Sequence, residues 1–117
     1  MTDKPVVYHN PSCSTSRRVL DAVRAAGHEP RVIEYLQTGW TRAELERLLA
    51  AMGARPGDIL RRKEPLAAEL GLAGVGASDD VILHAMVAHP ELVERPIVET
   101  ARGVRLCRPA ERVDEVL

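Results

Sequence analysis

The first 36 residues narrow most sharply what this chain can fold into. Val6-Val7-Tyr8 is a short β-prone run, and His9-Asn10-Pro11 cuts it off because Asn-Pro is a turn signal. From Ser14 to about Ala26 the apolar residues Val19, Leu20, Val23 and Ala26 recur at helical spacing, with Gly27 as the stop. Arg31-Val-Ile-Glu-Tyr-Leu36 then reads as a second strand. Strand, helix and strand in that order form a βαβ unit, in which both strands lie parallel in one sheet. The class is therefore α/β.

The rest of the chain adds helices and then a hairpin. Thr41-Arg-Ala-Glu44 has capping-box spacing, and Leu45, Leu48, Leu49 and Met52 form one apolar face that ends at Gly53. Pro56 to about Leu60 and Leu66 to Leu70 read as short helical pieces, and Gly71, Gly74 and Gly76 mark irregular chain after them. Ser78-Asp79-Asp80 caps a further helix to about Ala88, which Pro90 bars from continuing. Pro96 to Thr100 and Val104 to Cys107 are β-prone runs around Ala101-Arg102-Gly103, a hairpin signal, and Pro109 suits the first turn of a closing helix from Ala110 to about Val116. The order βαβ, helices, hairpin, helix is that of a thioredoxin-like fold with an inserted helical segment and a mixed sheet. A length of 117 residues, 45% hydrophobic and 28% charged, fits a single domain spanning 1–117.

Charge excludes whole classes of function. Sixteen Lys+Arg against seventeen Asp+Glu leave a formal charge of -1, which argues against a general nucleic-acid binder or a polybasic membrane-surface protein. The N-terminal residues carry no basic stretch leading into an apolar one, and no apolar run approaches the roughly 18 residues needed to span a bilayer. A cytoplasmic location is expected. Two cysteines 94 positions apart then read as thiols kept reduced, with a catalytic use open to them. Arginine outnumbers lysine 14 to 2, so an arginine has to be placed by its position before it says anything about function.

Cys13 has such a position, after a strand and loop and immediately before a helix. Unpaired N–H groups and the positive end of the helix dipole favour the thiolate there, and a thiol so placed drops from about 8.5 to roughly 3.5 to 7.5. Arg17 lies one helical turn on, where its charge can add to this, and the hydroxyls of Ser14, Thr15 and Ser16 can donate hydrogen bonds. Cys13-Ser-Thr-Ser16 is a C-x-x-S, so no second thiol is at hand to resolve an intermediate. His9 either assists Cys13 or closes the turn. Cys107, inside a β-prone run, reads as a core residue, and His9, Cys13 and Cys107 lack the close ligand pair of a zinc site.

Three separated segments now fit one pattern. Tyr8-His-Asn-Pro-Ser-Cys-Ser-Thr-Ser-Arg17, Glu94-Arg-Pro-Ile-Val98 and Arg105-Leu-Cys-Arg-Pro109, with Leu60-Arg-Arg-Lys-Glu64 between them, resemble the glutaredoxin-linked arsenate reductase family. The resemblance spans nearly the whole chain. It implies a thioredoxin-like fold in which Cys13 is the nucleophile, Arg61, Arg95 and Arg108 bind the oxyanion, and His9, Ser16 and Arg17 support them. Leu60 favours Arg61 over Arg62 for the first of these. It implies glutathione as co-substrate and glutaredoxin as the partner that regenerates Cys13, with no bound metal or cofactor and a monomeric protein serving arsenic resistance. Arg95-Pro96 resembles the place where thioredoxin-like folds set a cis-proline beside the active cysteine. The end at Leu117 resembles the shorter chromosomal subgroup, and Glu99 stands where the family usually has an apolar residue. The wider group includes a redox-linked regulator that binds RNA polymerase, but that regulator carries C-x-x-C where position 16 here is serine. A thiol reductase acting on another substrate is the remaining alternative.

Overall fold

The computed structural model describes residues 4–74 and 76–117. They fall into two compact units, the chain through Thr38 together with Arg95–Leu117, and Gly39–Glu94.

The first unit holds a four-stranded sheet. Strands β1 (Val6–Tyr8), β2 (Arg31–Ile33), β3 (Ile97–Thr100) and β4 (Gly103–Leu106) lie in the order β2-β1-β3-β4. β1 runs parallel to β2, with Val7 opposite Val32, and antiparallel to β3, with Val7 opposite Val98. β4 closes the hairpin antiparallel to β3. The sheet is therefore mixed, as a thioredoxin-like fold requires. Helix α1 (Ser14–Ala25) crosses between β1 and β2, and Gly27, at φ 92, takes the positive-φ position just past its end. The pleat sends Val7 and Val98 to one face, where Val19, Leu20 and Val23 of α1 and Val113 and Val116 near the C-terminus bury a single apolar cluster with them. Cys107, just past the end of β4, is a fully buried member of that cluster.

Two readings of this unit need correction. β2 stops at Ile33, and Tyr35–Thr38 is a helical turn, α2, rather than the continuation of a strand to Leu36. The N–H groups of Gln37 and Thr38 both turn back to the Glu34 carbonyl, at 2.9 and 3.1 Å. The turn buries Tyr35 and leaves Leu36 45% exposed, whereas a strand would have alternated them between two faces of the sheet. The closing helix is a 3-10 helix over Ala110–Glu115.

The Gly39–Glu94 unit is helical. Thr41 caps α3 (Arg42–Met52) by accepting from the Glu44 N–H at 3.1 Å, and Ser78 caps α5 (Asp79–Ala88) by accepting from the Val81 N–H at 3.2 Å. Asp79 and Asp80 in the first turn of α5 complement its dipole. The two helices pack together, burying Leu45, Leu48 and Leu49 from α3 and Ile82, Leu83 and Met86 from α5. Between them come a 3-10 turn at Pro56–Ile59 and the short helix α4 (Pro65–Glu69), and a 3-10 turn at Pro90–Leu92 follows α5. Leu60 and Val93 form an antiparallel bridge. Flanking it, the Arg61 N–H donates to the Leu92 carbonyl and the Glu94 N–H to the Ile59 carbonyl, each at 2.8 Å. These bonds fix the backbone that carries Arg61 and Glu94.

Candidate active site

The loop from His9 to Cys13 is wired to the first turn of α1. The His9 N–H continues the sheet by donating to the Ile33 carbonyl at 2.8 Å. Asn10 makes three bonds: its side-chain oxygen accepts from the Ser12 N–H at 2.9 Å, its carbonyl from the Cys13 N–H at 3.0 Å, and its own N–H donates to the Ser16 hydroxyl oxygen at 3.1 Å. Burial pushes the His9 imidazole below its usual pKa, which favours the neutral ring. The Ser16 hydroxyl shares a hydrogen bond with His9 Nδ1 at 2.7 Å while its oxygen accepts from the Asn10 N–H. Arg17 donates from its NH1 to the Pro11 carbonyl at 2.8 Å. The turn is thus held from both ends.

Cys13 is the N-cap residue of α1 and is half-buried, in extended backbone at φ -97 and ψ 121. Burial alone would push its thiol up, but it is outweighed by the Ser16 backbone N–H and by the Arg95 and Arg108 guanidinium groups, so the thiol pKa falls below its ordinary value. Arg108 NH1 lies 3.8 Å from the Cys13 sulfur and donates to the Arg95 carbonyl at 3.1 Å. Arg95 Nε–H is buried and has no hydrogen-bond acceptor among the described residues. A buried donor left in this way is costly, and an oxygen from outside the chain would satisfy it. The Arg95-Pro96 and Arg108-Pro109 bonds are both cis.

The supporting side chains act otherwise than residue type suggested. It is the backbone N–H of Ser16, not its hydroxyl, that faces the thiol, because the hydroxyl is taken by His9 and Asn10. The hydrogen bond from Arg17 goes to Pro11 rather than to Cys13, since a side chain one turn into the helix reaches back over the loop. The sequence marks Asn10 only as a turn former. Its place directly before proline was the available signal, because an Asn in a turn caps the backbone two residues on.

Arg61 belongs to the Gly39–Glu94 unit, where its NH1 donates to Glu94 Oε1 at 3.2 Å and its Nε lies 3.7 Å from Glu64 Oε2. Arg62 donates to the carbonyls of Ala73 and Gly57, each at 3.1 Å. Both carboxylates that meet Arg61 stand in the segments that carry the resemblance; Glu64 is its i+3 neighbour, whereas Glu94, 33 residues away, has no local signal.

The profile of the ArsC family matches residues 8–116. The chain belongs to the ArsC family. Among curated ArsC relatives, Arsenate reductase ArsI2 of Synechocystis is 52% identical over 112 residues, covering 96% of this chain and 80% of the relative. The arsenate reductase of Escherichia coli strain K12 is 48% identical over 111 residues, covering 95% and 79%. The solved structure of an arsenate reductase from Vibrio cholerae, 42% identical, superposes with a TM-score of 0.93 over the whole of both chains. The thioredoxin-like fold of this ArsC chain is thereby established.

The second thiol of this ArsC chain differs from the first in every respect. Cys107 is fully buried, and burial pushes its thiol up to about 12. The folded protein therefore keeps a proton that the unfolded chain releases near 8.5. The associated stability is complete below that pH and is lost as pH rises toward about 12. In chemical denaturation above pH ~9, wild-type protein is expected to lose stability more steeply than Cys107→Ser. Parallel pH dependences would show that Cys107 does not carry this effect. Cys107→Ser is also expected to keep most activity, and a loss matching that of Cys13→Ser would mean that Cys107 takes part in the chemistry.

Proposed function

We propose that this protein reduces arsenate to arsenite, with the Cys13 thiolate as nucleophile and glutathione and glutaredoxin as the thiol partners. The observation that carries the reading is the pair of guanidinium groups from Arg95 and Arg108 at the Cys13 sulfur, which both lower the thiol pKa and offer N–H donors beside it. Relatives named arsenate reductases at 48% and 52% identity support the substrate. Planar guanidinium forks suit a tetrahedral oxyanion, because they give paired, charge-assisted hydrogen bonds to its oxygens. Arg61 is the third arginine of this reading.

Cys13 thiolate attacks As(V), and an arsenate hydroxyl leaves as water after taking up a proton. The arginines hold the charge of the remaining oxygens. Glutathione thiolate then attacks the sulfur of the adduct. An S–S bond forms, the S–As electron pair stays on arsenic, and As(V) becomes As(III). Two thiols are oxidised as arsenic gains two electrons. Glutaredoxin thiol attacks the mixed disulfide and releases Cys13. The cytoplasm supplies the reduced glutathione this needs, and among the described residues no helix is long and apolar enough to cross a membrane.

The test is arsenate-dependent NADPH oxidation with glutathione, glutaredoxin and glutathione reductase present. The rate is expected to vanish when arsenate, glutathione or glutaredoxin is omitted. A rate that survives omission of glutathione would overturn the coupling, and no rate in the complete mixture would overturn the activity.

A further inference from the structure

One guanidinium in the Gly39–Glu94 unit is only partly engaged. Arg61 NH1 is bound to Glu94 Oε1, whereas Glu64 Oε2 at 3.7 Å from Nε lies beyond hydrogen-bond reach. That Nε–H is buried and has no acceptor among the described residues. The side chains of Arg61, Glu64 and Glu94 are 22%, 30% and 20% exposed, so solvent screens them less than it screens a surface pair. Arg62 does not add to this cluster, because its guanidinium is directed to the Ala73 and Gly57 carbonyls.

We propose that Glu64 is a specificity-determining residue that makes Arg61 select a tetrahedral oxyanion bearing at least one hydroxyl, with Glu94 holding the guanidinium so that its Nε edge is presented. This rests on the reading of Arg61 as an oxyanion ligand. An oxygen accepting from Nε at ~2.9 Å comes within about 7 Å of Glu64 Oε2. A bare oxygen of a dianion placed there meets a carboxylate of its own sign, whereas a hydroxyl can turn its proton toward that carboxylate. Arsenate and phosphate keep a hydroxyl at neutral pH, and sulfate has none. One positive charge flanked by two negative ones therefore reads the protonation of the ligand as well as its shape.

The test is calorimetric titration of the whole protein with inorganic phosphate and, separately, with sulfate, at a mildly acidic pH where dihydrogen phosphate predominates. Wild type is expected to prefer phosphate. Glu64→Gln removes the charge and keeps the shape, and should narrow that preference by about five- to tenfold, chiefly through tighter sulfate binding. Glu94→Gln should move the ratio the same way, and it decides the matter if Glu64→Gln does not fold. If Arg61→Ala leaves both affinities unchanged, Arg61 is not an oxyanion ligand and the reading beneath the proposal fails. If Arg61→Ala weakens both anions but neither glutamine variant moves their ratio, the reading stands and the proposal is overturned. Glutamine variants that weaken both anions equally, as a structural defect would, overturn it too.

Discussion

Replacing Cys13 by serine is expected to abolish arsenate reduction, with kcat/KM falling roughly a thousandfold or more. The hydroxyl is nearly the size of the thiol, but it stays protonated at neutral pH and cannot form the S–S bond through which arsenic gains its electrons. The Asn10 and Ser16 bonds that shape the loop do not involve the Cys13 side chain, so thermal melts of the variant should stay close to wild type. More than about a tenth of wild-type activity in a folded variant would remove Cys13 from the reaction. The pH dependence carries its own sign. Because the folded thiol pKa is depressed, the thiolate is populated from below the ordinary value near 8.5, and its contribution to stability is lost as pH falls through the folded pKa. Alkylation of Cys13 by iodoacetamide should therefore show a midpoint below that of an ordinary thiol. In Arg108→Ala the midpoint should rise, and an unmoved midpoint would mean that Arg108 does not stabilise the thiolate.

The second large effect is expected at the arginines. Arg95→Ala or Arg108→Ala removes charge-assisted hydrogen bonds worth about 1.5 to 3 kcal/mol, or roughly 10- to 150-fold in kcat/KM for arsenate. Arg61→Ala belongs to the same set. Lysine at these positions should rescue only in part, since it keeps the charge and loses the planar fork. Arg24 and Arg112 are exposed and lie outside the segments that carry the resemblance, and they serve as controls whose alanine variants should lose little. Equal losses in both sets would mean that the oxyanion site has been placed wrongly among the 14 arginines.

What could be read in advance was whatever depends on near neighbours in sequence. The helical period of Val19, Leu20 and Val23, the caps at Thr41 and Ser78, and the hairpin around Gly103 all rest on such signals, and the structure has each of them. The turn at Tyr35 has no such signal, because a β-prone composition does not reveal that the N–H groups of Gln37 and Thr38 return to Glu34. At the site, Cys13 before α1 was visible from order alone, but which atom of Ser16 faces it was not. The pairing of Arg61 with Glu94 joins residues 33 positions apart through the bridge between Leu60 and Val93, and local pattern carries no information about such a register.

The engagement of Ser16 bears on how this centre can evolve. A sulfur at position 16 would sit at a fully buried place, as a weak acceptor for Asn10 and a weak hydrogen-bond partner for His9. Ser16→Cys is therefore expected to loosen the loop that aims Cys13 at the same time as it supplies a second thiol. On the proposed mechanism, a site that keeps Ser16 draws its second thiol from outside the chain, and turnover then follows the supply of reduced thiol.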